Sequence, residues 1–349
     1  MPLHSSIARR PRLPRRPGPA AMALVGLAAL AIACGERGPT EAPSAAGDPA
    51  PVAKKPPAEA LPPLESLQAQ APAAPRPAAA PAAPTSHPAA AAQGRPDPLE
   101  ARANQAADLY DRGRAADAER AYREVLKQNP DHVPALTGLS QILMDRDDLD
   151  GAGALIERAL KANPGSVPAA QKKVAWLLAR DQPAEAVSLA EKSLKLDPGS
   201  ASLQAALGDA QRAYGDLPKA IEAYRKTVEL KPDWAPGWTR LGEALAENGD
   251  AAEAQKALAK ALALNPESYP AWRALARLYF DNGQPDQAVE AWQRALRLQP
   301  NRAEAHEGIA EALFAARRPA EARKHAEEAQ RLGRDMHGLL QKIDGAGAR

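Results

Sequence analysis

The sequence predicts an all-α fold: a solenoid of about seven stacked helix–turn–helix units with a capping helix at its C-terminal end. Three observations carry the prediction. Pro96, Pro130, Pro164, Pro198, Pro232, Pro266 and Pro300 stand 34 residues apart without a slip. A fixed period of roughly 20–50 residues marks a stacked-repeat architecture, and ~34 is the length of a two-helix unit. The second observation is an alanine recurring in the same register: Ala118, Ala152, Ala186, Ala220, Ala254, Ala288 and Ala322. A side chain that small lets paired helices approach to about 8 Å. The third is composition: beyond residue 98 the chain is rich in Ala, Leu, Glu, Arg and Lys, and only 4% of all residues are aromatic. That mixture suits long helices.

Counting from the prolines divides the chain into units 99–132, 133–166, 167–200, 201–234, 235–268, 269–302 and 303–336, followed by a capping helix and tail in 337–349. Each unit holds two apolar-periodic stretches, which read as two helices. Between them lie turn dipeptides such as Arg112-Gly113, Gly215-Asp216, Gly249-Asp250 and Asn282-Gly283. Pro183, Pro218, Pro285 and Pro319 fall at the start of second helices, where a missing N–H costs nothing. The ladder prolines end those helices, because a helix cannot run through them. One unit cannot bury its own apolar face, so neighbours stack into a continuous core and the last must be covered. A helix over 335–343 with Met336, Leu340 and Ile343 on one side suits that cover, and the GAGAR tail beyond it is expected to be disordered.

The N-terminus reads as an address. Arg9, Arg10, Arg12, Arg15 and Arg16 precede an uncharged, mostly apolar run at 20–33, and the chain's single cysteine, Cys34, follows. A basic segment, a short apolar one and small residues at the cleavage point describe a secretory signal over residues 1–33. Removing those five arginines turns the formal charge from +2 to −3, so basicity gives no argument for a nucleic-acid partner. One cysteine excludes an intramolecular disulfide.

Leu30-Ala31-Ile32-Ala33-Cys34 resembles the lipobox of bacterial lipoprotein signal peptides, with Ala31 where that family usually has Leu. The resemblance implies that Cys34 becomes the first mature residue and carries acyl chains, palmitate among them. Two or more such chains anchor a protein stably. Gly35 in place of Asp implies the outer membrane, with the protein facing the periplasm. Residues 35–98 then hold 16 of the chain's 35 prolines among abundant alanines. That composition buries no core and predicts a disordered tether, in which 61–71 (LPPLESLQAQA) carries an apolar helical hint; it reads as linker, with a docking motif as the alternative.

In the repeats, Trp272, Leu275, Ala276, Tyr279, Ala288, Trp292, Ala295 and Pro300 fall in one unit in the order of the tetratricopeptide repeat (TPR) pattern. The chain resembles that family over 99–336. The resemblance implies a right-handed solenoid whose first helices line a concave groove that captures peptides. It also makes the twelfth residue of each unit groove-facing: Tyr110, Met144, Leu178, Arg212, Ala246, Phe280 and Phe314. Apolar clusters result at both ends of the groove, and exposed aromatics and methionine suit an extended or helical peptide. Arg240, Arg273 and Arg277 form a basic cluster that could grip a carboxylate. Glu243, Glu307 and Glu311 stand on neighbouring helices, so ion pairing across the surface is the competing expectation. The carboxylate clamp of chaperone-binding TPR proteins is disfavoured, because its places hold Ala103, Ala107 and Gly138.

Chemistry of other kinds has little to stand on. The six histidines form no helical metal pair, and there is no second cysteine for a zinc site. No glycine-rich phosphate loop or nucleophile elbow occurs. The expectation is therefore a non-enzyme without cofactor or metal: a lipid-anchored adaptor that binds segments of other envelope proteins in pilus, secretion or cell-wall machinery. The alternatives are a structural spacer or homo-oligomerising module, and a non-catalytic subunit of an enzyme complex.

Overall fold

The computed structural model describes Leu61 and residues 97–347. The signal segment, Cys34 and the rest of the Pro/Ala-rich region lie outside the described residues. Fifteen α-helices and no strand occur among the described residues, and the first fourteen fall into seven consecutive pairs. Units one to three are α1 (Pro98–Asp111) with α2 (Ala115–Gln128), α3 (Val133–Asp145) with α4 (Leu149–Ala162), and α5 (Val167–Ala179) with α6 (Pro183–Leu196). Units four and five are α7 (Ala201–Tyr214) with α8 (Leu217–Leu230), and α9 (Ala235–Asn248) with α10 (Ala251–Leu264). Units six and seven are α11 (Tyr269–Asp281) with α12 (Pro285–Leu298), and α13 (Ala303–Ala315) with α14 (Pro319–Arg331). The last helix, α15, spans His337–Gly347.

Local chemistry sets these bounds. α2, α4, α6, α8, α10 and α12 each stop two residues before a ladder proline. The residue between, such as Asn129 (φ −129°, ψ 95°) or Asn265 (φ −141°, ψ 92°), is extended, because a following proline disfavours helical geometry there. Three first helices open on serine: Ser166, Ser200 and Ser268 each accept a hydrogen bond from the backbone N–H three residues on. That bond satisfies one of the orphan donors at a helix start.

The turn inside each unit contains a second ladder. Gly113, Asp147, Asp181, Gly215, Gly249, Gly283 and Arg317 all have positive φ, and they too stand 34 residues apart. A chain reversing between two helices in so few residues needs one left-handed residue. Glycine adopts it freely; Arg317, at φ 61°, does so against its Cβ.

Packing follows the alanine register. All seven alanines are 0% exposed. Trp292 fills the space left by Gly308, where an added Cβ would overlap the indole. Consecutive first helices also pack on one another along the stack, which makes them its inner face. The apolar core runs unbroken from α8 to α15, whereas units one to three and α7 hold smaller separate clusters. Units one, three and seven depart most from the repeat pattern, with Gln105 and Lys173 at apolar places. Lys173 resolves this by lying 3.9 Å from the centre of the Trp176 ring and pairing with Glu157.

Two expectations need correction. The helix α15 continues through Gly345 to Gly347, so that much of the GAGAR tail is helical. Met336 and Ile343 are buried under the stack, and Asp344 is held by Arg323 at 2.8 Å, which supports the extra turn. The reading of Leu61 as linker does not hold either. Leu61 is 5% exposed and belongs to the main core, and its backbone is bonded to the Gln284 side chain.

Candidate peptide-binding groove

The inner face is stitched by ion pairs between successive first helices. Arg212 on α7 makes a bidentate contact with Glu247 on α9, at 2.9 and 2.6 Å, and reaches Glu243 at 3.4 Å. Arg240 on α9 returns to Asp209 on α7 at 3.2 Å. Asp209 also accepts the Tyr224 hydroxyl at 2.7 Å, and burial raises that phenol well above its ordinary pKa. Arg273 on α11 bonds Glu243 at 2.8 Å and lies 3.8 Å from Glu304 on α13. Arg212, Arg240 and Arg273 are thus engaged before any ligand arrives, which favours the ion-pairing expectation for them. Half-exposed pairs of this kind are individually worth about 0–1 kcal/mol.

The expected apolar residues divide by environment. At the N-terminal end, half-buried Tyr110 packs on the unit-one core and donates its hydroxyl to Asp145 on α3. Its pKa is pushed up to about 12, chiefly by burial and further by Asp145. Met144 is half-buried on α3. Leu178 packs against the unit-three core and lines a cavity of about 240 Å³ with Lys172, Asp209, Trp234 and Arg240. Burial lowers the Lys172 pKa, and its ammonium donates to Gln141 at 2.6 Å. At the other end Phe314 packs partly against the core and faces a space of about 500 Å³ beside Arg317, Pro319 and Ala346.

Phe280 and Arg277 stand apart. Phe280 is 36% exposed, and Arg277 is exposed with no ion pair among the described residues. Both line a cavity of about 250 Å³ between α11 and α13, shared with Trp292, Glu307, Glu311 and Arg334. That volume takes one or two side chains rather than a drug-sized ligand, whose clefts run ~300–1,000 Å³. Four carboxylates (Asp281, Glu304, Glu307, Glu311) face two guanidinium groups here. Arg334 is committed to Glu307 at 2.5 Å. Desolvation, then the neighbouring Glu307, pushes Glu311 above the usual carboxylate range, with Arg277 pulling the other way. A carboxylate in that condition gains from an arriving cation.

Arg334 and Trp292 belong to this site although the groove register of the first helices does not include them. Arg334 follows α14 and reaches back 27 residues to Glu307; Trp292 enters because Gly308 leaves it room. Among the described residues no cluster of three metal-ligating side chains occurs, and no helix is long and apolar enough to cross a membrane.

The sequence matches the tetratricopeptide repeat family over residues 109–177, 177–241, 245–307 and 280–343, and the chain belongs to that family. A solved tetratricopeptide repeat protein from Parabacteroides merdae is 14% identical with a TM-score of 0.50, over 72% of this chain and 99% of its own. At that identity the likeness is one of fold. The crystal structure of MamA is 26% identical with a TM-score of 0.42, over 46% of this chain and 93% of its own. The Cut9–Hcn1 structure is 16% identical with a TM-score of 0.48, over 71% of this chain and 55% of its own. No curated protein matches the chain in sequence. The fold is a protein-interaction scaffold, its stacked first helices offering an extended binding surface.

Proposed function

We propose that the chain is a membrane-tethered adaptor that captures peptide segments of envelope proteins on its inner face, in the assembly of an envelope complex such as pilus, secretion or cell-wall machinery. The observation that carries the reading is the α11–α13 cavity, where exposed Phe280 adjoins Arg277, which has no ion pair among the described residues, and Glu311, with its raised pKa. An apolar side chain of the ligand packs on Phe280, and a basic one reaches Glu311. Phe314 and, at the far end, Tyr110, Met144 and Leu178 extend the contact along the groove. Cys34 carries the lipid, residues 1–33 are removed, and the Pro/Ala-rich stretch sets reach from the outer membrane into the periplasm. Catalysis is absent from the mechanism; binding and tethering are the activity.

The test is pull-down from cells with the double variant Phe280→Ala and Phe314→Ala. Loss of partners from the pull-down is expected, and an unchanged profile would sink the assignment. A self-associating spacer is the second reading. Leu196 and Leu230 occupy equivalent places at the ends of α6 and α8 and are 70% and 46% exposed. Crosslinks between copies through those leucines, with none to other proteins through Phe280, would favour it.

A further inference from the structure

Leu61 reaches the stack through one side chain. Gln284 Oε1 accepts from the Leu61 N–H at 3.2 Å, and Gln284 Nε2 donates to the Leu61 carbonyl at 2.9 Å. Asn282 Nδ2 donates to the same Oε1 at 3.1 Å, which fixes the orientation of the amide. A carboxamide that satisfies both backbone groups of one residue imitates a neighbouring strand. It reads an extended backbone whatever its side chain, while the adjoining pocket selects what is buried. Here the buried side chain is leucine, 5% exposed and in the core that includes α11 and α12.

Gln284 is not occupied with capping its own helix, which two of the seven residues in this register do. The equivalent residues Asp148 and Asp216 cap the second helices of their units, accepting from Gly151 and Lys219 N–H. Gln182, in unit three, donates to Glu185 on its own helix. Gln284 makes no capping bond to α12 and gives both ends of its amide to a residue 223 positions away.

We propose that the turn between α11 and α12 is a docking site for an extended peptide that buries one leucine, and that its resting occupant is the chain's own Leu61. The site is separate from the groove and does not depend on the groove's partner. Where Cys34 is the anchor, the reach of the stack is then set by residues 35–60, and release of Leu61 lengthens it.

A fluorescent peptide of residues 56–71, titrated by anisotropy onto the full chain, tests this. A connection of this length holds Leu61 near its site at an effective concentration on the order of 1 mM. The tethered leucine weakens outside binding by 1 + (effective concentration)/Kd, so for a peptide Kd of about 0.1 mM the Leu61→Asp chain, whose site is vacated, is expected to bind about tenfold more tightly than the unaltered chain. Adding Gln284→Ala to that chain should remove binding, and a peptide carrying Leu61→Asp should not bind. Leu61 joins the core from outside the repeats, so circular dichroism checks that both the Leu61 and the Gln284 variants keep the repeats folded. Equal affinity for the two chains, binding that survives Gln284→Ala, or no binding to either chain would each overturn the proposal.

Discussion

Gly308→Ala gives a sign that helix propensity alone predicts wrongly. Gly308 lies inside α13, where alanine ordinarily stabilises a helix by roughly 0.5–1 kcal/mol. Yet three atoms of the Trp292 indole, all within 2.6 Å of where the new Cβ would stand, occupy the space. Trp292 is itself buried and cannot swing into solvent. Overpacking of this kind costs about 1–3 kcal/mol, so the net expectation is a loss of about 1–2 kcal/mol. Trp292→Leu clears the space, and in that background Gly308→Ala should instead stabilise by roughly 0.5–1 kcal/mol. Urea unfolding followed by circular dichroism measures both differences. Hydrogen exchange should place the loss in units six and seven, since solenoid repeats are stabilised chiefly by their neighbours. Gly308→Ala stabilising the unaltered background, or the same sign in both, would refute the close-packing argument.

Other consequences follow from single residues. Arg317→Gly relieves a left-handed backbone worth ~1–2 kcal/mol, less the entropy of glycine, so unfolding midpoints should rise by about 0.5–1 kcal/mol equivalent. Glu311 has a raised pKa in the fold, so its charged form opposes folding. That opposition is fully present above the folded pKa and vanishes below the ordinary value of 4.5. Glu311→Gln should therefore be at least as stable as the parent at pH 7, with the difference closing as pH falls through that window in acid titrations. The same variant should weaken a basic peptide more than a neutral one. Cys34→Ser should abolish fatty-acid labelling and release the protein from membranes; membrane retention without labelling would point to an uncleaved signal anchor.

The architecture was legible because its determinants are local and repeat. A proline ends a helix wherever it stands, and an alanine in fixed register marks a close helix contact. The left-handed ladder was half legible: glycine announces it at 113, 215, 249 and 283, but Asp147, Asp181 and Arg317 hide it. The groove was harder, because charge at a register position does not say whether a partner is in reach. The structure supplies only part of a rule. Asp209 with Arg240 and Arg212 with Glu243 are each 31 residues apart, one repeat less about one helical turn. Arg273 pairs with Glu243 at a spacing of 30, however, and Glu247 stands 30 residues before Arg277, so spacing alone does not single out Arg277. The Leu61 contact was beyond such a rule, since it spans 223 residues and lies outside the repeat.

The central claim is that the α11–α13 cavity receives another protein's peptide. A photo-crosslinking amino acid at position 277, introduced in cells and read by mass spectrometry, tests it most directly. Crosslinks are expected to segments of envelope proteins that carry a basic residue beside an apolar one, and their loss when Phe280→Ala is added. Crosslinks only between copies of this chain, or a capture unchanged by Phe280→Ala, would contradict it.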